Sequence, residues 1–308
     1  MADSTGNEPA LPGSYGQAPN GYRLPDATRL GPVRLQVSNL DRSVAFYEGT
    51  LGFRVVGRDA SHALLGVQGS DAPLVELRAH PGAIPAPRRG RLGLYHFAIL
   101  LPDRASLGRF VRHLWEIDAR AGSADHLVSE ALYLQDPDNL GIEVYADRPR
   151  GAWRRNGREL MMASDAIDAA GLAAAAGDDP WTGMPAGTTI GHVHLHVGDL
   201  AAAAAFYSEA LGFDRTVWGY PGALFLGAGG YHHHLGANTW AGAGATPPQA
   251  SDARLLEWTI ELPDDVSLSA LMQSITRAGY SVQRDAAQAS DLVVRDPWGT
   301  HIRLRAAG

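Results

Sequence analysis

Apolar residues and histidines alternate along Gly191-His192-Val193-His194-Leu195-His196-Val197. A period of two predicts a β-strand with Val193, Leu195 and Val197 on one face and three imidazoles on the other. Val33, Leu35 and Val37 alternate in the same way and predict a second such strand. After it, Asp41 is placed to cap a short helix whose Val44, Phe46 and Tyr47 face inward. Strands follow at 51–56, 63–67 and 74–77, so residues 30–80 form a β-α-β-β-β unit.

The unit recurs 160 residues later. Gly31, Val33, Leu35, Val37, Leu40, Ala45, Phe46, Tyr47, Leu51, Gly52 and Phe53 are repeated at Gly191, Val193, Leu195, Val197, Leu200, Ala205, Phe206, Tyr207, Leu211, Gly212 and Phe213. So many identities at one offset are an internal repeat. The copies part where chemistry would sit, because Pro32 and Arg34 replace His192 and His194. Two further stretches share a pattern. Tyr95 to Asp103, a helix near 105–118 and strands near 126–135 and 141–145 correspond to Glu257 to Asp264, a helix near 266–278 and strands near 291–294 and 300–304. Asp136-Pro137 and Asp296-Pro297 make the same turn before the last strand of each.

Four modules emerge, at 30–80, 92–147, 190–240 and 253–304, with a linker at 148–189 that is helical near 164–175. Residues 1–29, rich in Gly, Pro, Asn and Ser, are expected to be a flexible arm or a strap over the surface. Each β-α-β-β-β unit leaves an open sheet edge and an apolar face, and pairing two units hides both. The expected class is therefore α+β, with four modules paired into two half-barrel domains.

The 308-residue chain is large enough for two cores. Its formal net charge of -7 argues against nucleic-acid binding. No run of 18 apolar residues suggests a membrane span, and no secretion signal is visible, so a cytoplasmic protein is expected. A homo-oligomer is compatible with this composition. The chain has no cysteine, so thiolate catalysis, iron–sulfur clusters and thiolate zinc sites are excluded. Any metal must be held by His, Asp or Glu.

These features resemble the vicinal oxygen chelate superfamily, which contains glyoxalase I, bleomycin resistance proteins and type I extradiol dioxygenases. The most specific likeness lies in Gly191-His192 with Asp199-Leu200 and Phe206-Tyr207, and in Tyr133 followed by Asp136-Pro137-Asp138-Asn139 and Glu143. The four-module catechol 2,3-dioxygenase branch looks most similar. The resemblance implies a metal held by ligands from the first and last strands of modules sharing a cleft. For extradiol enzymes it implies two histidines and one glutamate on iron(II), sometimes manganese(II), with open positions for an aromatic diol and O2. Pairing module two with three collects His96, Glu143 and His192 in one cleft and leaves one and four blank. The consecutive pairing usual in that branch would instead point to His192, His234 and Glu257.

By the same resemblance, Tyr133 is the candidate to hold the deprotonated catechol oxygen. One member of His232-His233-His234 is the candidate acid-base group. On a strand, His232 and His234 share one face and His233 takes the other, which favours His234, with His232 next. His126 is a further pocket candidate. Two other readings remain open. A glyoxalase-like isomerase would use zinc or nickel, with His234 as fourth ligand. A resistance-type binding protein would have no metal and an aromatic-lined cleft.

Overall fold

The computed structural model of the protein describes residues 7–285, 288 and 290–307. Two eight-stranded sheets dominate it. One unites the strands of the second and third modules, the other those of the fourth and first. The seam of the first sheet is the antiparallel pair Gly93–Leu100 and Thr189–His196. The seam of the second is Arg29–Val37 against Arg254–Leu262. Each sheet is thus two β-α-β-β-β units joined edge to edge, and the pairing is the one that gathers His96, Glu143 and His192.

The period-two pattern explains which face goes where. Val193, Leu195 and Val197 are buried in one continuous core with Val33, Leu35, Val37, Phe97, Ile99, Trp258 and Ile260. That core draws on both sheets and on the helices, including Tyr47, Phe110, Phe206 and Leu271. The opposite faces of the sheets are left to line two clefts. Helices Leu40–Gly49, Arg104–Glu116, Leu200–Ala203 and Asp265–Arg277 each begin at a side-chain cap: Asn39, Asp103, Asp199 and Asp264. The first cap is Asn39 and not Asp41, whose carboxylate instead pairs with Arg58. The alanine-rich helix widens into a π-helix over Ala204–Ala210.

The tyrosine repeated at the 160-residue offset ties the two sheets together. Tyr47 faces Asp136 at 3.5 Å, and Tyr207 donates to Asp296 at 2.7 Å. Each tyrosine belongs to a module in one sheet and each aspartate to a turn in the other. The aspartate also accepts two backbone N–H groups within its own turn, from Asp138 and Leu140 or from Trp298 and Thr300.

The N-terminal segment is a strap over its described part. Glu8–Pro9 pairs with Arg154–Asn156, which pairs with Glu159–Leu160. Tyr15 donates to the Gly230 carbonyl at 2.5 Å, and Leu24 is buried. The connection between the second and third modules is likewise built in, since Trp153, Leu160 and Leu172 are buried. Its helix is Ala169–Ala175, shorter than the expected 164–175. The strand expected near 126–135 is two, Gly122–Asp125 and Ser129–Gln135, joined by a turn in which Leu127 takes a positive φ of 68°. Among the described residues no helix is long and apolar enough to cross a membrane.

Candidate metal centre

Strand register brings three donor side chains together. Ala98 lies opposite Glu143 on the parallel neighbour Gly141–Asp147 and opposite His192 on the antiparallel neighbour. Residues in register project to the same face, and residue 96, two positions earlier, shares that face. The methyl of Ala98 is small enough to let the longer side chains converge over it. Glu143 Oε2 lies 3.0 Å from His96 Nε2 and 3.1 Å from His192 Nε2. The donor atoms of all three fall within 4.8 Å of one another. Among the described residues this is the one such group.

The site is buried, and its charges are arranged for a cation. His96, Glu143 and His192 are each at most 5% exposed. Burial alone would raise the Glu143 carboxyl, but His192 and His96 beside it hold it well below the usual carboxylate range. Burial pushes His192 down to about 4, with Glu143 opposing, so the imidazole is neutral at neutral pH and has a lone pair to give. His96 Nε2 is close to the carboxylate yet lacks hydrogen-bond geometry and has no other partner. A buried nitrogen left in that state is costly. Two imidazoles and one carboxylate converging on a point fit a divalent cation of the iron or manganese type. The donor set also matches what the orphaned nitrogen lacks.

A cavity of about 170 Å³ opens from this point. Tyr133, His126, His194 and His233 line it near the three donors, and Tyr95, Tyr220, Phe225 and Trp240 form an aromatic wall. Met162, Ala163 and Ser164 of the linker complete it. Tyr133 sits opposite Glu143 in register. Its phenol is pushed well above its ordinary value by burial and then by the Glu143 charge, so it is a protonated donor. Its oxygen lies 2.5 Å from His126 Nε2, while His126 Nδ1 is 2.5 Å from the Ala163 carbonyl. The linker therefore orients His126 through that carbonyl, and His126 in turn meets Tyr133.

The histidine triplet is arranged differently from the sequence expectation. It lies in a bend ahead of the strand Leu235–Asn238, so strand parity does not govern it. His233 faces the cavity with its ring centroid 4.1 Å from that of His192. His234 points away from it, its Nδ1 accepting the Ala228 N–H at 3.1 Å and its ring 6.2 Å from Phe213. His232 lies behind His233, with its Nε2 2.9 Å from Asp147. Gly229 and Gly230, at φ of 59° and 63°, turn the chain just before the triplet, and this Gly-Gly pair was the available sign of a bend. The linker residues carried no comparable signal.

Glycines let the strand histidines and their supports approach. A Cβ at Gly191 would sit 1.9 Å from the Tyr145 hydroxyl, and one at Gly236 would sit 2.7 Å from the His194 ring. The second cleft is filled with ion pairs. Arg303 reaches Glu257, Asp285 and Asp291 at 2.8, 2.7 and 3.0 Å, and Arg34 reaches Glu76 at 2.7 Å. A fixed cation where the first cleft gathers imidazoles leaves this side without a comparable donor group among the described residues.

Fold and site define a member of a two-cleft class with one donor group that could hold a metal, and the sequence agrees. The family model of the Glyoxalase/Bleomycin resistance protein/Dioxygenase superfamily matches residues 29–144 and 189–304, and the chain belongs to that family. It is 44% identical over 274 residues to a catechol-2,3-dioxygenase of Bacillus subtilis (strain 168), covering 88% of this chain and 94% of that protein. Among solved structures, it shares its fold with a Bacillus subtilis protein provisionally assigned as a dioxygenase (TM-score 0.62, 14% identity, covering 92% of this chain and 86% of that one). It likewise shares its fold with glyoxalase I from Zea mays (TM-score 0.52, 18% identity, covering 90% and 92%).

Proposed function

We propose that the protein is a cytoplasmic extradiol dioxygenase that cleaves a catechol-type ring with O2, using iron(II) held by His96, Glu143 and His192. The observation that carries this reading is the convergence of two imidazoles and one carboxylate at the head of an aromatic-walled cavity. The likeness to a catechol-2,3-dioxygenase supports the same choice. Three protein ligands leave positions for a bidentate diol and for dioxygen. The isomerase alternative is weakened because His234, its fourth ligand, is turned out of the cavity and bonded to Ala228.

When bound, iron(II) supplies the electron transfer that joins O2 to an electron-rich ring. The chain's own residues do the rest. Glu143 gives the centre a compensating negative charge, and His96 and His192 give ring nitrogens as ligands. With His126 Nδ1 donating to the Ala163 carbonyl, the Tyr133 O–H points at His126 Nε2 in the free protein; turned to one catechol oxygen when the diol is bound, it would stabilise the anion there. His233 is the neutral base next to the centre, suited to take a catechol proton and return it later. Phe225, Tyr220 and Trp240 hold the ring in register and exclude water.

The test is oxygen uptake by anaerobically iron-loaded protein on adding catechol, with product identified by mass. One O2 consumed per catechol, both atoms retained in a ring-opened semialdehyde, is expected. No uptake by protein shown to hold iron would reject the reading.

A further inference from the structure

Behind His233 lies a line of hydrogen bonds that the cleft itself does not require. His233 Nδ1 is 2.7 Å from His232 Nδ1, and His232 Nε2 is 2.9 Å from Asp147 Oδ1. Asp147 also accepts from the Tyr231 hydroxyl at 3.2 Å, and Tyr231 meets Tyr145 at 2.6 Å. His232 is fully buried, between Trp153 at 5.5 Å and Tyr231 at 4.1 Å, whereas the Asp147 side chain is 28% exposed. The line runs from the cavity wall to the surface.

The chemistry of these atoms fixes their order. An ionised carboxylate only accepts, so His232 must carry its proton on Nε2. With its ring proton committed to Asp147, His232 presents a bare Nδ1, which only accepts. His233 must therefore donate from Nδ1, and its remaining nitrogen, Nε2, is left unprotonated. The same logic sets the tautomer of a catalytic histidine through a buried aspartate elsewhere, here extended by one more imidazole.

The geometry points to Asp147 and His232 as positioning residues that lock His233 in the tautomer presenting a bare Nε2 to the cavity. Its kinetic consequence rests on the dioxygenase reading; the tautomer itself does not. In this arrangement the bare Nε2 faces the cavity without ring rotation.

Two measurements separate the claims. Long-range ¹H–¹⁵N spectra of the full-length metal-free chain report each histidine's tautomer without turnover. His233 is expected in the Nδ1–H form in the wild type, to shift toward Nε2–H or a mixture in Asp147→Ala, and to recover in Asp147→Glu. An Nε2–H His233 in the wild type, or an unchanged tautomer in Asp147→Ala, overturns the proposal whatever the enzyme does. With iron loaded, Asp147→Ala should keep wild-type metal content and catechol KM while kcat falls about 10- to 100-fold, as for other residues that orient an active-site group. Loss of activity only in proportion to lost iron would mean a structural role and would also overturn it. If the wild type holds iron and cleaves no catechol, the dioxygenase reading fails while the tautomer result still stands or falls by the spectra.

Discussion

At the scale of single residues, the centre depends as much on what is small as on what coordinates. Ala98 stands between Glu143 and His192 in register. In Ala98→Leu the added side chain would occupy the point where the donors meet, with every ligand still present. Metal affinity should fall at least 100-fold with the circular-dichroism spectrum unchanged, and calorimetric titration with iron(II) or manganese(II) under anaerobic conditions would measure it. The histidines of the candidate centre were visible in the sequence because they interrupt apolar strands, and Glu143 because a carboxylate in Gly141-Ile142-Glu143-Val144-Tyr145 needs a partner. Ala98 carried no such mark, since a small apolar residue in a strand says nothing of its neighbours until register is known. Burial also makes the site acid-sensitive. His192 titrates at about 4 and His234 at about 3 in the folded chain, against an ordinary 6.5, and burial moves His194 and His233 the same way. The unfolded chain therefore takes these protons first as pH falls. Their stabilising contribution is full above about 6.5 and is lost progressively toward pH 4. Asp136, raised to about 7 by burial, and Asp296, raised likewise, have the opposite sign and offset part of the loss. Four imidazoles outweigh two carboxylates, so the urea midpoint of the metal-free protein should fall between about pH 6.5 and 5.

At the scale of elements, local pattern located strands and helices well and misjudged irregular turns. The alternating strands at 33–37 and 191–197 were plain because one face of each is wholly core. The bend at His232–His234 was not, because a period of two was extended past two glycines that break it. That single misplacement exchanged the positions expected of His233 and His234. It yields a direct prediction: His234→Ala should leave metal content and turnover within a few-fold of wild type, while His233→Ala should lower kcat by roughly 10²–10⁴ with metal retained, measured in iron-loaded protein. The turns at Asp136 and Asp296 were recognised from their Asp-Pro pairs, but their tie to a helix of another module was not, since that contact spans 89 residues. Tyr207→Phe removes a 2.7 Å bond to Asp296 and should destabilise the protein by about 1–2 kcal/mol. Tyr47→Phe removes only a 3.5 Å contact and should cost less in the same denaturation series.

At the scale of the molecule, the internal repeat made the architecture legible. Joining the second unit to the third collects His96, Glu143 and His192 in one cleft, and the sheets are joined in that way. What the sequence could not show is that the strap and the linker take part. Both are poor in apolar periodicity, yet the linker supplies a cavity wall and orients His126 through the Ala163 carbonyl. The division of labour is then clear: one sheet gathers imidazoles around a buried carboxylate, and its twin closes its own cleft with arginine ion pairs. The central claim is that His96, Glu143 and His192 hold the metal on which function depends. The most direct measurement is iron bound per folded chain after anaerobic loading, in the wild type and in His96→Ala and His192→Ala. One iron per wild-type chain and none held tightly in either variant, all three proteins folded, is the predicted result; full iron occupancy in either variant would contradict it.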